Sequence, residues 1–172
     1  MADSVRHFLR AYWRDCRGGA AAETALVSLL LVTIMAQALD FGWYVYCALQ
    51  VRMAAQAAVS QAAITCNNAA KIPATTNCSG ITTAMETAAR QVSLGSNINL
   101  GTTTEGYYCR NGNTLTYIGT SKPANCSPYS TDNPADFITQ QITYTFSPLF
   151  PGLSVMSAYA GTMTSTAWMR LQ

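Results

Sequence analysis

The chain is 172 residues long, and only 10% of them are charged, against roughly a quarter in an ordinary soluble domain. Apolar residues make up 49%, which excludes a disordered chain, and the length allows one domain or a small domain with an appendage. The net charge of +2 is too small for a nucleic-acid binder that works by neutralising phosphates. The single histidine, His7, removes most histidine-based catalytic and metal-site schemes.

The first 17 residues hold Arg6, Arg10, Arg14 and Arg17 against Asp3 and Asp15. From Thr24 to Leu39 there is no charge at all. Residues 19–38, taken as a helix at 1.5 Å per residue, span about 30 Å, the thickness of a bilayer core. Glu23 and Asp40 bracket this run, and Trp43, Tyr44 and Tyr46 follow as the aromatic cluster expected at a membrane–water interface, with Asp40 at the same level. A transmembrane helix over residues 20–46 is therefore expected, the alternative being the buried helix of a soluble core. Four arginines precede the run and only Arg52 lies close behind it, so the positive-inside rule leaves the N-terminus in the cytoplasm and exports the rest. Beyond the span, Ala54, Ala58 and Ala62 recur every four residues beside Ala55, Ala57 and Ala63, the small-residue spacing that permits close helix approach. Gln56, Ser60 and Gln61 interrupt them, which places this half outside lipid, against a partner helix or the chain's own domain.

Cys66, Cys78, Cys109 and Cys126 all fall on the exported side, where disulfides persist. Zinc is disfavoured, since the four lack both short Cys-x-x-Cys spacing and a nearby histidine. Three pairings are open, and sequence neighbours, Cys66 with Cys78 and Cys109 with Cys126, are the choice made here. Cys16 and Cys47 need no partner.

After Cys66 the chain turns rich in Thr, Ser and Asn. Ile81, Ala84, Met85, Ala88 and Val92 repeat at helical spacing, predicting a helix over residues 82–94 with a Thr83–Glu86 capping box and Gly95 as its stop. Residues 106–110 and 113–118 flank Asn111-Gly112, the strongest short hairpin signal. Residues 121–136 read as a loop, and 138–146 and 160–171 as two strands joined around Pro148, Pro151 and Gly152. The fold class is thus α+β: a long N-terminal transmembrane and stem helix, a short second helix, and a small antiparallel sheet of about four strands set against the upper stem. The domain layout is a cytoplasmic leader (1–18), a transmembrane and stem helix (19–66), and a periplasmic α+β domain (67–172). The exported part has no histidine, and its acids are Glu86, Glu105, Asp132 and Asp136, no more than a solvated surface supplies. No catalytic residue, metal or other cofactor is expected, and the chain is not read as an enzyme.

Three cleavage patterns compete, of which a lipoprotein signal fails because Tyr46, where a small residue is needed, precedes Cys47. Ala36-Gln37-Ala38 ends the apolar run as a secretory signal would, releasing a soluble protein from Leu39. Arg17-Gly18-Gly19-Ala20-Ala21-Ala22-Glu23 instead places a glycine before the run and a glutamate five positions after Gly18. This last pattern looks like a type IV prepilin processing site. Together with Asp40-Phe41-Gly42, residues 44–46 and the C-terminal stretch from Ile142 through Pro148 and Pro151 to a Thr-rich strand, it resembles the TadE-like family of pilin-related proteins. Thr24 stands where that family commonly has an aromatic residue.

The resemblance implies a minor pilin (pseudopilin) that assists assembly of a tight-adherence type IV pilus and secretion system from the bacterial inner membrane. Cleavage would fall between Gly18 and Gly19, and Glu23 would be the assembly residue. Glu23 would pair with the freed N-terminus of a neighbouring subunit, against the plainer reading that it reaches the membrane surface. The implied partners are other pilins and pseudopilins, the inner-membrane assembly platform, the prepilin peptidase and membrane lipid, with no nucleic acid. The alternative is a secreted or pilus-tip adhesin domain released after Ala38, with its Thr-rich sheet as the recognition surface.

Overall fold

A computed structural model describes residues 17–171, and Arg6, His7, Arg10, Arg14 and Cys16 of the expected leader lie outside it. The chain enters as a single helix, α1, over Arg17–Thr65. No proline occurs before Pro73, and Ala, Leu, Met and Gln, all strong helix formers, dominate the segment. Its 49 residues reach about 73 Å at 1.5 Å per residue. At the far end the Lys71 ammonium donates to the Thr65 carbonyl, and a disulfide joins Cys66 to Cys78.

A 3-10 turn (Ala69–Lys71) and a one-turn helix, α2 (Ala74–Asn77), lead to α3 over Ile81–Ala89. The expected helix over 82–94 is therefore shorter, and its capping box does not form. Gly80, at φ 79°, caps the start without a side-chain bond, and Glu86 pairs with Arg90 one turn on at 2.9 Å. Ile81, Met85 and Ala89 form the buried edge of α3. Leu94 is buried through the turn that follows, where Gly95 takes a positive φ.

The sheet contains β1 (Ile98–Asn111), β2 (Thr114–Gly119), β3 (Ala135–Phe146) and β4 (Gly161–Arg170), all antiparallel, in the order β2-β1-β3-β4. The expected hairpin is present, with its turn one residue later than the Asn-Gly signal places it. Asn111 pairs with Thr114, so Gly112 and Asn113 are the central residues. Only Gly112 has positive φ, the pattern of a II′ turn. A second disulfide, Cys109 to Cys126, ties the 121–136 loop to β1, so both sequence-neighbour pairings form.

Register places Ile138, Gln140, Ile142 and Phe146 of β3 and Ala167 of β4 on the inner face, against α1, and α3 packs on α1 beside the sheet. The outer face carries Thr139, Thr143 and Thr145 of β3 opposite Trp168, Thr164 and Thr162 of β4. The molecule is thus mixed α+β, with a long N-terminal helix, a shorter one and a four-stranded antiparallel sheet. The sheet covers only part of α1. Burial on the helix begins at Ala36 and continues through Asp40, Cys47, Val51, Ala54, Ala58 and Ala62. Between Gly19 and Met35 nothing is buried.

Candidate functional site

The alanine face belongs to the chain's own domain. Ala54, Ala55, Ala58 and Ala62 are each fully buried, because a methyl side chain lets the sheet and α3 approach the helix backbone closely. Ala57 and Ala63, at the margins, stay partly open.

The bare half of α1 is apolar on every side. Leu26, Val27, Leu29, Leu30, Leu31 and Val32 are all more than half exposed. Each hydroxyl in this half donates to the carbonyl four residues back: Thr24 to Ala20 at 2.6 Å, Ser28 to Thr24 at 2.6 Å, and Thr33 to Leu29 at 2.8 Å. No side-chain hydroxyl here is left in need of water. Such a helix is long and apolar enough to cross a membrane, and its exposure is not that of a soluble protein's core helix. The two disulfides belong with an oxidising compartment.

Gly18 and Gly19 lie in the first turn of α1, and the helix passes through them without a break. A side chain at Gly19 would meet nothing. Glu23 is exposed one turn later, with no hydrogen bond or ion pair among the described residues.

Asp40, expected at an interface where it touches water, does not touch it. The carboxylate is fully buried and accepts from the backbone N–H of Leu149 at 2.7 Å and of Phe150 at 3.3 Å. One turn earlier, Gln37 donates to the Leu153 carbonyl at 2.8 Å and accepts from the Val155 N–H at 2.9 Å and the Ser154 hydroxyl at 3.3 Å. These two side chains clasp the β3–β4 connection onto the helix where the bare half ends. Sequence reasoning passed over Gln37, whose signal was a lone amide inside an apolar run.

The aromatic cluster divides. Trp43 stacks on Tyr46, with ring centroids 5.5 Å apart and planes at 19°. Both rings line an apolar groove of about 530 Å³ with Leu39, Leu94 and Leu149. Tyr44 turns the other way, meeting Phe146 edge-on at 5.2 Å and Tyr159 at 6.3 Å, so it serves the domain core.

In the domain, Glu105 accepts from the N–H groups of Ala74 and Thr75 and from the Thr75 hydroxyl, anchoring α2 to β1. Asp136, two register positions away on the same inner face, is buried, and both its carboxylate oxygens lack a hydrogen-bond partner among the described residues. Burial first, then the nearby Glu105 charge, push its pKa up to about 7, and Lys122 offsets this in part. On the outer face Tyr108 meets Tyr117, Phe137 and Trp168 at 5.4–5.5 Å. Gly106 makes room for this cluster, since a Cβ there would lie 2.4 Å from the Tyr117 ring.

Compared with protein-family models, curated proteins and solved structures, the chain matches none of them.

Proposed function

We propose that this chain is a membrane-anchored minor pilin (pseudopilin) of the TadE-like kind, assisting assembly of a tight-adherence type IV pilus and secretion system. In this reading the bare half of α1 crosses the bacterial inner membrane once, with the arginine-rich leader in the cytoplasm and the disulfide-bonded domain in the periplasm. Its partners are other pilins and pseudopilins, the inner-membrane assembly platform and the prepilin peptidase. The contribution is helix packing and not catalysis. The observation that carries the reading is the division of a single helix. One half is bare and apolar, with one exposed carboxylate, Glu23, near its start, and the other half is sealed against a four-stranded sheet. Gly18 and Gly19 stand in the turn before Glu23, the order of residues that resembles a type IV prepilin processing site. A carboxylate on a membrane helix costs about 2.5–3.5 kcal/mol at mid-bilayer and less near an edge, and the ammonium freed on Gly19 of a neighbour supplies a charge to pair with it.

The test is the mature N-terminus of protein recovered from membranes, read by intact mass and N-terminal peptide mapping. A start at Gly19 supports the proposal, and Glu23→Ala should then abolish assembly while leaving the subunit in the membrane. A start at Leu39 would overturn it in favour of a secreted binding domain.

That second reading, an adhesin or pilus-tip domain, draws on the exposed rings of Tyr117 and Trp168 on the outer sheet face. Release after Ala38 would favour it, although that cut removes Gln37 and its three bonds to the β3–β4 connection.

A further inference from the structure

The β3–β4 connection, residues 147–160, has a composition and a position that its role as a strand linker does not explain. It holds no charged residue, nor does any position from Phe137 to Met169. Leu149, Phe150, Leu153, Val155 and Tyr159 are exposed, Val155 at 66% and Tyr159 at 62%, and they lie together at the end of the domain that meets the bare half of α1.

The height of this patch follows from the helix. Counting from Gly19, directly after the leader arginines, a hydrocarbon core of about 30 Å ends near residue 38 or 39. Starting the core at Glu23 moves that edge up to about residue 43. The clasp at Gln37 and Asp40 lies at the edge in the first case and inside it in the second. The segment bare on every side, Gly19 to Met35, supplies only about 25 Å; beyond it Leu39 and Phe41 keep one side of the helix open while the domain covers the other. The apolar side chains of the connection extend the same surface upward.

Backbone in such a place must have its polar groups satisfied from within the protein. Asp40 takes the N–H groups of Leu149 and Phe150. Gln37 takes the Leu153 carbonyl and the Val155 N–H. The Ser157 hydroxyl takes the Gly152 N–H, and the Phe150 carbonyl accepts from Leu153 and Ser154. Two polar side chains of an apolar helix are thereby spent on making a neighbouring loop fit for lipid.

From this placement we infer that residues 149–155 form a second membrane contact, seated in the outer edge of the same bilayer that α1 crosses. The inference rests on the membrane-spanning reading of α1 given above. With two contacts, the tilt and depth of the domain against the membrane plane are held, which a single helix does not achieve.

The test uses the full chain, with Cys16→Ser and Cys47→Ala, in vesicles of phosphatidylethanolamine and phosphatidylglycerol. A nitroxide is placed in turn at Leu153→Cys, Val155→Cys, Leu30→Cys in the bare half, and Leu115→Cys on β2, with both native disulfides verified by mass. Collision with oxygen, which concentrates in hydrocarbon, is compared with collision with a water-soluble nickel chelate. The expected result is an oxygen-to-nickel ratio at Leu153 and Val155 several-fold above that at Leu115 and approaching that at Leu30. Loop labels that read water while Leu30 reads hydrocarbon would overturn the second contact and leave the membrane helix standing. A Leu30 label that reads water would overturn both.

Discussion

Two halves of one unbroken helix obey different rules. Between Gly19 and Met35 large aliphatic side chains point outward in every direction, each more than half exposed and none buried. Between Ala36 and Thr65 the buried face becomes mostly small, with four fully buried alanines beside Cys47, Val51 and Val59, and Tyr44 is the large ring that joins the domain core. Hydrophobicity is high throughout, so hydrophobicity alone does not separate the halves. Side-chain size on one face does, because close approach to a sheet needs methyl groups whereas lipid accepts any apolar volume. An apolar helix can therefore contain both its span and its docking surface, with the boundary marked by where small residues line up.

The sharpest way to break this comparison is to truncate one large side chain of the domain that covers the upper half and one on the bare half. Phe146→Ala removes the largest fully buried side chain and the partner of Tyr44, and should cost the domain about 3–5 kcal/mol in denaturant unfolding. Leu30→Ala, in the bare half, should change domain stability by less than about 0.5 kcal/mol. Equal losses would mean that the lower helix is covered by protein after all.

A smaller loss tests the clasp itself. Asp40→Ala strands the Leu149 and Phe150 N–H groups and should cost about 1–3 kcal/mol, with faster proteolysis confined to residues 147–160. Asp40→Asn keeps an acceptor oxygen and should recover part of that loss. A wild-type cleavage pattern in Asp40→Ala would show that the connection is held without the clasp.

The two exposed-versus-buried carboxylates extend the comparison to charge. Asp136 has a raised pKa in the folded chain, so the fold favours its protonated form. The stabilisation is complete below about pH 4 and is lost as pH rises toward 7, where the buried carboxylate ionises beside Glu105. Asp136→Asn should flatten that slope and leave the variant more stable than the parent at pH 8, by about 1 kcal/mol or more. Glu23→Gln, on the bare half, should leave the stability of the domain unchanged. A pH slope in the parent that survives Asp136→Asn would assign the titration to another group.

How much of this was legible in the sequence depends on how far apart the interacting residues are. Local signals served well. The apolar run and the alanine ladder each lie within one element, the hairpin within two adjacent strands, and all appear within a residue of where local reasoning put them. The hairpin turn moved by one residue because Gly112 takes positive φ at the first central position, a choice the pattern of flanking residues does not encode. The capping box failed for a similar reason: Gly80 supplies the entry conformation to α3, and Glu86 finds Arg90 on its own helix. Long-range partners were not legible. Asp40 seemed a solvent-facing acid because its donors are 109 and 110 residues away, and nothing local to Asp40 signals Leu149 and Phe150. Asp136 and Glu105 seemed ordinary surface acids until strand register set them on the same inner face.

The distance between Asp40 and its donors also has a meaning in time. The carboxylate leaves the ribosome 109 residues ahead of the Leu149 amide, an interval of roughly 5–20 s at ordinary rates of synthesis. Throughout that interval Asp40 waits at the head of the apolar run with neither of its final partners made. A chain that stops short of residue 149 keeps an ionisable group bare beside its most hydrophobic segment, and a finished one hides it. Closure of the clasp is therefore a mark of completeness, separating a chain that reaches residue 150 from one that does not.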